Sequence, residues 1–189
     1  VMDAIEKALD ENPRVNHRHG IVHCQITRPD QLQRIKDLNL HIYAQTIFLD
    51  YDINIVEARV GKELASTSYC WKTLMNNGVS VSNGSDCPVE LPYVMGGIQC
   101  AVTRKPLKDV EGKRIYLPEE AFTVKEAIDS YTICSAKGSF EERIKGKIQK
   151  GMLADFVILG KNPFETNVNE LKDISVHEVY VGGKKVYEK

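Results

Sequence analysis

Short β-rich segments alternate with helical segments in the first half of the chain, and this alternation constrains the fold more than any other feature. Runs of strand length and composition occupy residues 19–24, 40–48 and 79–86, and helical signals lie between them at 27–38 and 61–77. Strand, helix, strand, helix, strand at this spacing predicts a parallel α/β sheet or barrel.

The sequence also predicts a helix at each side of this region and an irregular stretch between residues 89 and 122. Residues 1–11 show a helical stripe of apolar residues without a preceding N-cap, so we expect this helix to start before the sequence does. Prolines and glycines predict an irregular stretch over 89–122. Thr123, with Glu126 three residues later, forms a capping box that predicts a helix over 124–136.

The last part of the chain changes character. Residues 152–159 and 174–187 are strand-like, and Gly182-Gly183 predicts that the second run folds back as a hairpin. A cluster of lysines and glycines over 143–150 indicates a boundary before these strands. We therefore expect a main α/β part followed by a smaller β part.

Composition and charge exclude several classes of function. The chain is 42% hydrophobic and 27% charged, as in ordinary globular proteins, and its formal net charge of -1 offers no electrostatic basis for binding nucleic acid or an anionic membrane. No apolar run is long enough to span a bilayer, and the N-terminal residues are too charged for a signal peptide. The five cysteines are odd in number and form no CxxC pair, which argues against a disulfide framework or a thiolate zinc site and favours a cytoplasmic location.

Asp86 follows a strand-like run on the segment Gly84-Ser85-Asp86-Cys87-Pro88. Asn, Gly, Ser and Asp all favour turns, so Asp86 could be a turn residue only. The alternative is a catalytic or metal-binding carboxylate at the carboxyl end of a barrel strand, where active sites lie, with Gly84-Ser85 letting the chain turn.

His23 also ends a strand-like run, so its ring would reach the same edge of a parallel sheet as Asp86. A lone histidine there could equally be structural. Together the two could bind a metal ion, and the carboxylate could accept a proton from water and return it to a leaving nitrogen. Two ligands fall short of the three that a catalytic zinc normally takes from protein, so the site is half present. The other histidines, all at less suitable positions, are His17, His19, His41 and His177.

Several segments together resemble the amidohydrolase superfamily, and within it the family-3 group that includes N-substituted formamide deformylases. They read RHGIVHCQ, AQTIFLDYD, SYCWKTLMNNGVSVSNGSDCPVE, AVTRK, EAIDSYTICSA and KGKIQKGMLADFVIL. The resemblance runs over nearly the whole chain in the family's order, and GSDxPVE and GxIxxGxxADFVxL are its most specific motifs.

The resemblance implies a partial TIM (β/α)8 barrel, with residues 1–144 forming its last three βα units and residues 145–189 contributing strands of a small β-sandwich. It implies a hydrolase that uses a divalent metal, with zinc expected, to activate water. The implied substrate is a small molecule with a non-peptide carbon–nitrogen bond of amide type.

The family's site residues fall on four positions of this sequence. The resemblance makes His23 a metal ligand at the end of the sixth barrel strand. It makes Asp86 a metal contact and acid/base at the end of the eighth. Gln45, at the end of the seventh strand, and Arg104 match positions that line or support the substrate site.

The sequence departs from the family pattern in two ways. The family's Arg-Ile-Glu-His is replaced by Gly20-Ile21-Val22-His23, so the glutamate that could orient the histidine is missing. The ligands of the first, fourth and fifth strands would all precede Val1. The sequence therefore resembles the C-terminal third of such an enzyme, and we expect the isolated chain to be inactive.

Three barrel strands would leave an open edge, so we expect self-association to cover it. The alternative function is a catalytically inactive α/β fragment that acts as a scaffold or assembly partner. Metal analysis of the chain would separate the two.

Overall fold

Three parallel strands organise the computed structural model, which describes residues 1–109 and 113–189. They are β1 (Gly20–Val22), β2 (His41–Ala44) and β3 (Ser80–Asn83), in the spatial order β1-β2-β3. Gly20 lies opposite His41 and Ile42 lies opposite Val81, with all pairs parallel. The predicted parallel α/β arrangement is confirmed, as a sheet of three strands.

Helices connect and cover these strands. Their bounds are α1 (Met2–Glu11), α2 (Pro29–Asp37), α3 (Leu49–Asp52), α4 (Val56–Ala65), α5 (Trp71–Asn76), α6 (Val94–Thr103), α7 (Val124–Tyr131) and α8 (Ile133–Gly138). Short 3₁₀ turns occupy Thr46–Phe48, Pro118–Glu120 and Val168–Asp173. Among the described residues, no helix is long and apolar enough to cross a membrane.

Two predicted helices are each interrupted. The helix expected over 61–77 is replaced by α4 and α5, because the backbone turns between them and Tyr69 adopts a φ of 57°. The helix expected over 124–136 begins at the predicted Thr123 capping box, which is confirmed, but breaks at Thr132, whose φ of -119° and ψ of -94° are not helical.

The stretch expected to be irregular over 89–122 contains the buried helix α6. Its two central glycines suggested a loop, but they serve close packing instead. A Cβ on Gly97 would lie 2.0 Å from the hydroxyl of Tyr131, and a Cβ on Gly96 would lie 2.6 Å from the ring of Tyr93. The absent side chains therefore let tyrosines lie directly on the helix.

The tail forms a separate antiparallel sheet of β4 (Phe156–Leu159), β5 (Val176–Val181) and β6 (Lys184–Glu188). The hairpin predicted at Gly182-Gly183 is confirmed, and both glycines have the positive φ that such turns require. The turn over Val168–Asp173 packs on α6, where the backbone N–H of Lys172 donates to Gln99 Oε1.

Apolar side chains from the first sheet and its helices form the core. Ile42, Val81 and Trp71 are almost fully buried within it. A buried hydrogen bond of 2.9 Å joins His41 Nε2, at the start of β2, to Ser82 Oγ of β3, so the two strands are also linked by side chains. This leaves the carboxyl edge of the same strands for the site.

Candidate active site

Three of the four predicted site residues lie along the carboxyl edge of the parallel sheet. His23 directly follows β1, Gln45 directly follows β2, and Asp86 comes three residues after β3. Because the strands are parallel and adjacent, these side chains come from successive βα units at one edge.

Short distances connect the three side chains. His23 Nδ1 forms a hydrogen bond of 2.8 Å with Gln45 Oε1, and Gln45 Nε2 donates to the carbonyl oxygen of Tyr43 at 3.0 Å. On the other side of the ring, His23 Nε2 lies 3.9 Å from Asp86 Oδ2. The His23 and Asp86 side chains are 40% and 41% exposed, whereas Gln45 is buried. The site thus has a buried support and an accessible histidine–carboxylate pair.

The backbone is strained at this edge. His23, Cys24 and Asp86 have φ values of 68°, 48° and 55°, in the left-handed region that side chains other than glycine rarely adopt. The indole N–H of Trp71 donates to the His23 carbonyl oxygen at 3.0 Å and holds this conformation. Such outliers cluster at functional sites, where the surrounding structure holds them in place.

The turn before Asp86 differs from the sequence-based interpretation. Gly84 does not have a positive φ, and a Cβ there would meet no atom within 4 Å, so the interpretation of Gly84 as the hinge is wrong. Asp86 itself takes the left-handed conformation. The segment is anchored by Asn83, whose Oδ1 accepts from the N–H of Gly84 (3.0 Å) and from that of Thr46 (3.1 Å).

Asn83 and Trp71 are the supporting residues that sequence reasoning missed. Asn83 also donates from Nδ2 to Thr46 Oγ1 at 2.8 Å, which links the carboxyl ends of β2 and β3. An amide side chain at the end of a strand-like run, directly before Gly84-Ser85, was the available signal for Asn83. No local pattern indicates that the Trp71 indole would reach His23, because 48 residues separate the two in sequence.

The donor set fits part of a metal site. A histidine nitrogen and a carboxylate oxygen 3.9 Å apart are compatible with ligating the same divalent ion. Within residues 1–109 and 113–189, no group of three or more His, Cys, Asp or Glu side chains is placed to hold an ion. Burial raises the pKa of the neighbouring Cys24 thiol to about 12, so this cysteine is not a ready thiolate ligand.

Arg104 lies apart from the other three predicted residues. It is completely buried, and its Nε donates to the Tyr116 carbonyl oxygen at 3.0 Å. Both terminal nitrogens lack a hydrogen-bond partner in the described part of the chain, and burial lowers the pKa of the guanidinium while Glu120 partly offsets this effect. No described hydrogen bond or ion pair joins Arg104 to His23, Gln45 or Asp86.

Comparison with known proteins identifies the family. Residues 1–187 match the model of the amidohydrolase family. The chain belongs to this family. It is 34% identical over 188 residues to a putative amidohydrolase, YtcJ, of Bacillus subtilis, covering 99% of this chain and 35% of that protein. It is 30% identical over 118 residues to an N-substituted formamide deformylase of Arthrobacter pascens, covering 62% of this chain and 21% of the relative.

This amidohydrolase chain also has solved structural relatives. An uncharacterized metal-dependent hydrolase from Pyrococcus horikoshii superimposes with a TM-score of 0.71 and 29% identity, covering 88% of this chain and 33% of the other. The chain thus spans about a third of the length of the relatives it matches. The α/β fold and membership of a hydrolase family follow from these comparisons, and the family implies a divalent metal.

Proposed function

We propose that this chain supplies part of the active site of a metal-dependent hydrolase that cleaves a non-peptide carbon–nitrogen bond of amide type. The observation that carries the proposal is the convergence of His23 Nε2 and Asp86 Oδ2 to 3.9 Å at the carboxyl edge of the sheet. Similarity to an N-substituted formamide deformylase supports an amide-type substrate. The barrel that this edge would complete, and the cytoplasmic location, belong to the same proposal.

His23 and Asp86 would hold the ion, for which we expect zinc. When bound, a divalent ion supplies the Lewis acidity that activates water near neutral pH. Asp86 Oδ2 faces His23, so the second carboxylate oxygen, Oδ1, would accept the proton of the attacking water and return it to the leaving nitrogen. The exposure of both side chains leaves space for substrate.

Gln45 and Arg104 are the two residues that the family resemblance places on the substrate side. Gln45 is at the site, although its amide oxygen already bonds His23 and its amide nitrogen bonds Tyr43. The complete burial of Arg104 favours a supporting role, in which it holds the segment around Tyr116 in place.

The described residues supply two of the three or more protein ligands that a catalytic zinc normally takes. This lack of further metal ligands favours the alternative function, an inactive scaffold or assembly partner, because two donors alone do not hold a catalytic zinc.

Metal content and hydrolysis of an N-substituted formamide test the proposal in the full-length gene product, with a dipeptide as the competing substrate class. We expect stoichiometric metal, hydrolysis of the formamide, and loss of both by at least tenfold in His23→Gln and in Asp86→Asn. The matched control is His177→Gln, since His177 is exposed on β5. A folded protein without metal or hydrolysis would contradict the hydrolase proposal and leave the scaffold alternative, and faster cleavage of the dipeptide would contradict the substrate class.

A further inference from the structure

We propose that Gln45 is a positioning residue that fixes the proton of the His23 ring on Nδ1 and thereby keeps Nε2 free to bind metal. The inference rests on the proposed function, because it assigns a role to Gln45 within the same site. It replaces substrate binding as the main role of this side chain.

The orientation of the Gln45 amide follows from its second contact. The side-chain nitrogen lies 3.0 Å from the carbonyl oxygen of Tyr43, which can only accept a hydrogen bond. The amide must therefore present its nitrogen to Tyr43 and its oxygen, Oε1, to His23. An amide oxygen only accepts, so His23 Nδ1 must be the donor in the 2.8 Å bond.

The Asp86 carboxylate, on the opposite side of the His23 ring, is a second acceptor for the ring proton, but it is too far away. Asp86 Oδ2 is also an acceptor and would draw a proton to Nε2, yet its separation of 3.9 Å is beyond hydrogen-bonding range. The bond between His23 Nδ1 and Gln45 Oε1 is within this range. Because Gln45 is buried, the bond is electrostatically stronger than it would be in water. In the neutral ring, Nε2 therefore carries no proton, and its lone pair is available on the side that faces the carboxylate.

Further contacts hold both partners of this bond in place. Gln45 lies between β2 and the 3₁₀ turn whose first residue, Thr46, donates from Oγ1 to the Gly97 carbonyl oxygen at 2.8 Å. The His23 ring stacks on Phe48 with a centroid distance of 5.9 Å, and the Trp71 indole holds the His23 backbone. The geometry is thus built for one ring orientation.

The residue next to His23 in the sequence does not supply a group that orients the ring. Val22, the residue before His23, has no polar side-chain atom that could orient the ring. Ligand histidines usually donate their other ring N–H to an acceptor that fixes the tautomer. In this chain the acceptor is supplied by Gln45 from the neighbouring strand.

The test is imidazole ¹⁵N NMR on the metal-free 189-residue chain at a pH of about 8, above the ordinary range of imidazole titration. His23→Gln assigns the signals by their loss, and exposed His177 serves as the internal reference. We expect the His23 proton on Nδ1 in the wild-type chain and in Gln45→Glu, which keeps an oxygen acceptor. In Gln45→Met, which removes the acceptor, we expect the population with the proton on Nε2 to become dominant.

Gln99→Met is the matched control, because Gln99 is also a buried glutamine whose oxygen accepts a hydrogen bond, but from Lys172. It should leave the His23 tautomer unchanged. In the full-length gene product, Gln45→Met should also weaken zinc binding by about 10- to 100-fold, and Gln99→Met should not.

A wild-type His23 proton on Nε2, or no change of tautomer in a folded Gln45→Met chain, would overturn the inference. Its failure is distinguishable from failure of the proposed function. A proton on Nδ1 in a protein that binds no metal would contradict only the proposed function, whereas metal binding with the proton on Nε2 would contradict only the role of Gln45.

Discussion

His41 begins β2 and His23 directly follows the neighbouring strand β1, but the two histidines lie in opposite environments. His23 is 40% exposed at the carboxyl edge, whereas His41 is 2% exposed at the amino edge and bonds Ser82. Burial, together with the positive charges of Lys137 and Arg18, lowers the pKa of His41 to about 4. His41 is therefore a neutral residue of the fold, in agreement with its position at the edge away from the site.

The buried His41 should make stability depend on pH. The unfolded chain binds a proton on this ring near pH 6.5, but the folded chain does so only near pH 4. The contribution of His41 to stability should therefore be fully present above pH 6.5 and decrease by up to about 3 kcal/mol as the pH drops toward 4. Urea unfolding across this range, compared with His41→Gln, measures the effect.

The His41→Gln variant should lose most of this pH dependence, because glutamine can still bond Ser82 but does not titrate. Glu142, whose pKa Arg18 lowers from 4.5 to about 2, loses its contribution to stability only below about pH 4.5 and is present in both proteins. Equal slopes in the two proteins between pH 6.5 and 4 would contradict the assignment to His41.

Sequence reasoning located residues by strand ends more reliably than it described their contacts. His23 and Asp86 could be placed at one edge because a parallel sheet fixes where strands end, whereas Gln45 was placed at the neighbouring strand end only by the family resemblance. The bond between Gln45 and His23 could not be predicted, because it depends on side-chain torsions and on the register of β1 against β2. Arg104 had no positional rule, and its contacts arise from packing between distant segments.

At the scale of elements, β1 is the weak member of the sheet that carries the site. It has three residues and pairs with β2 alone among the described strands. Its first residue, Gly20, lies so close to β2 that a Cβ would be 2.4 Å from the carbonyl oxygen of His41. The close approach of β1 to β2 therefore requires glycine at this position.

Gly20→Ala should destabilise the chain by about 1–3 kcal/mol, because backbone atoms must move apart to accept the added methyl group. Gly84→Ala is the matched control near the site and should be neutral or slightly stabilising, since that Cβ would meet nothing within 4 Å. Denaturant titration of both variants checks this, and equal effects would contradict the assignment of the contact.

Helices could be predicted where a local side chain marks their start. They could not be predicted where their residues are explained only by packing in the folded chain. The Thr123 capping box is local in sequence, so it could be recognised and it holds in the structure. Helix α6 was missed because Gly96 and Gly97 are read from sequence as helix breakers. Their reason for being there, contact with Tyr93 and Tyr131, exists only in the folded chain.

At the scale of the whole molecule, exposed apolar surface remains on both sheets. A groove of about 740 Å³ lies between helices α7 and α8 and strand β4, and Ile148 and Val157, which line it, are 92% and 52% exposed. On the first sheet, Val22 is 54% exposed at the end of β1. Apolar surface of this kind favours association with another protein surface.

We predict that the isolated chain self-associates and that the open edge of β1 takes part. Val22→Lys should shift the chain toward monomer, because a lysine on an edge strand opposes pairing. Val15→Lys is the matched control, since Val15 is 96% exposed and lies outside the strand. Sedimentation velocity over a hundredfold range of concentration measures this, and a concentration-independent monomer would contradict it.

The order of the strands in space is the same as their order in the chain. Each strand can therefore join the growing sheet as it leaves the ribosome, without waiting for a later strand to be inserted between earlier ones. His23 and Gln45 can meet once β2 has been synthesised, but Asp86 arrives only after β3. A nascent chain stalled before β3 would therefore contain His23 and Gln45 but lack Asp86, which is half of the histidine–carboxylate pair.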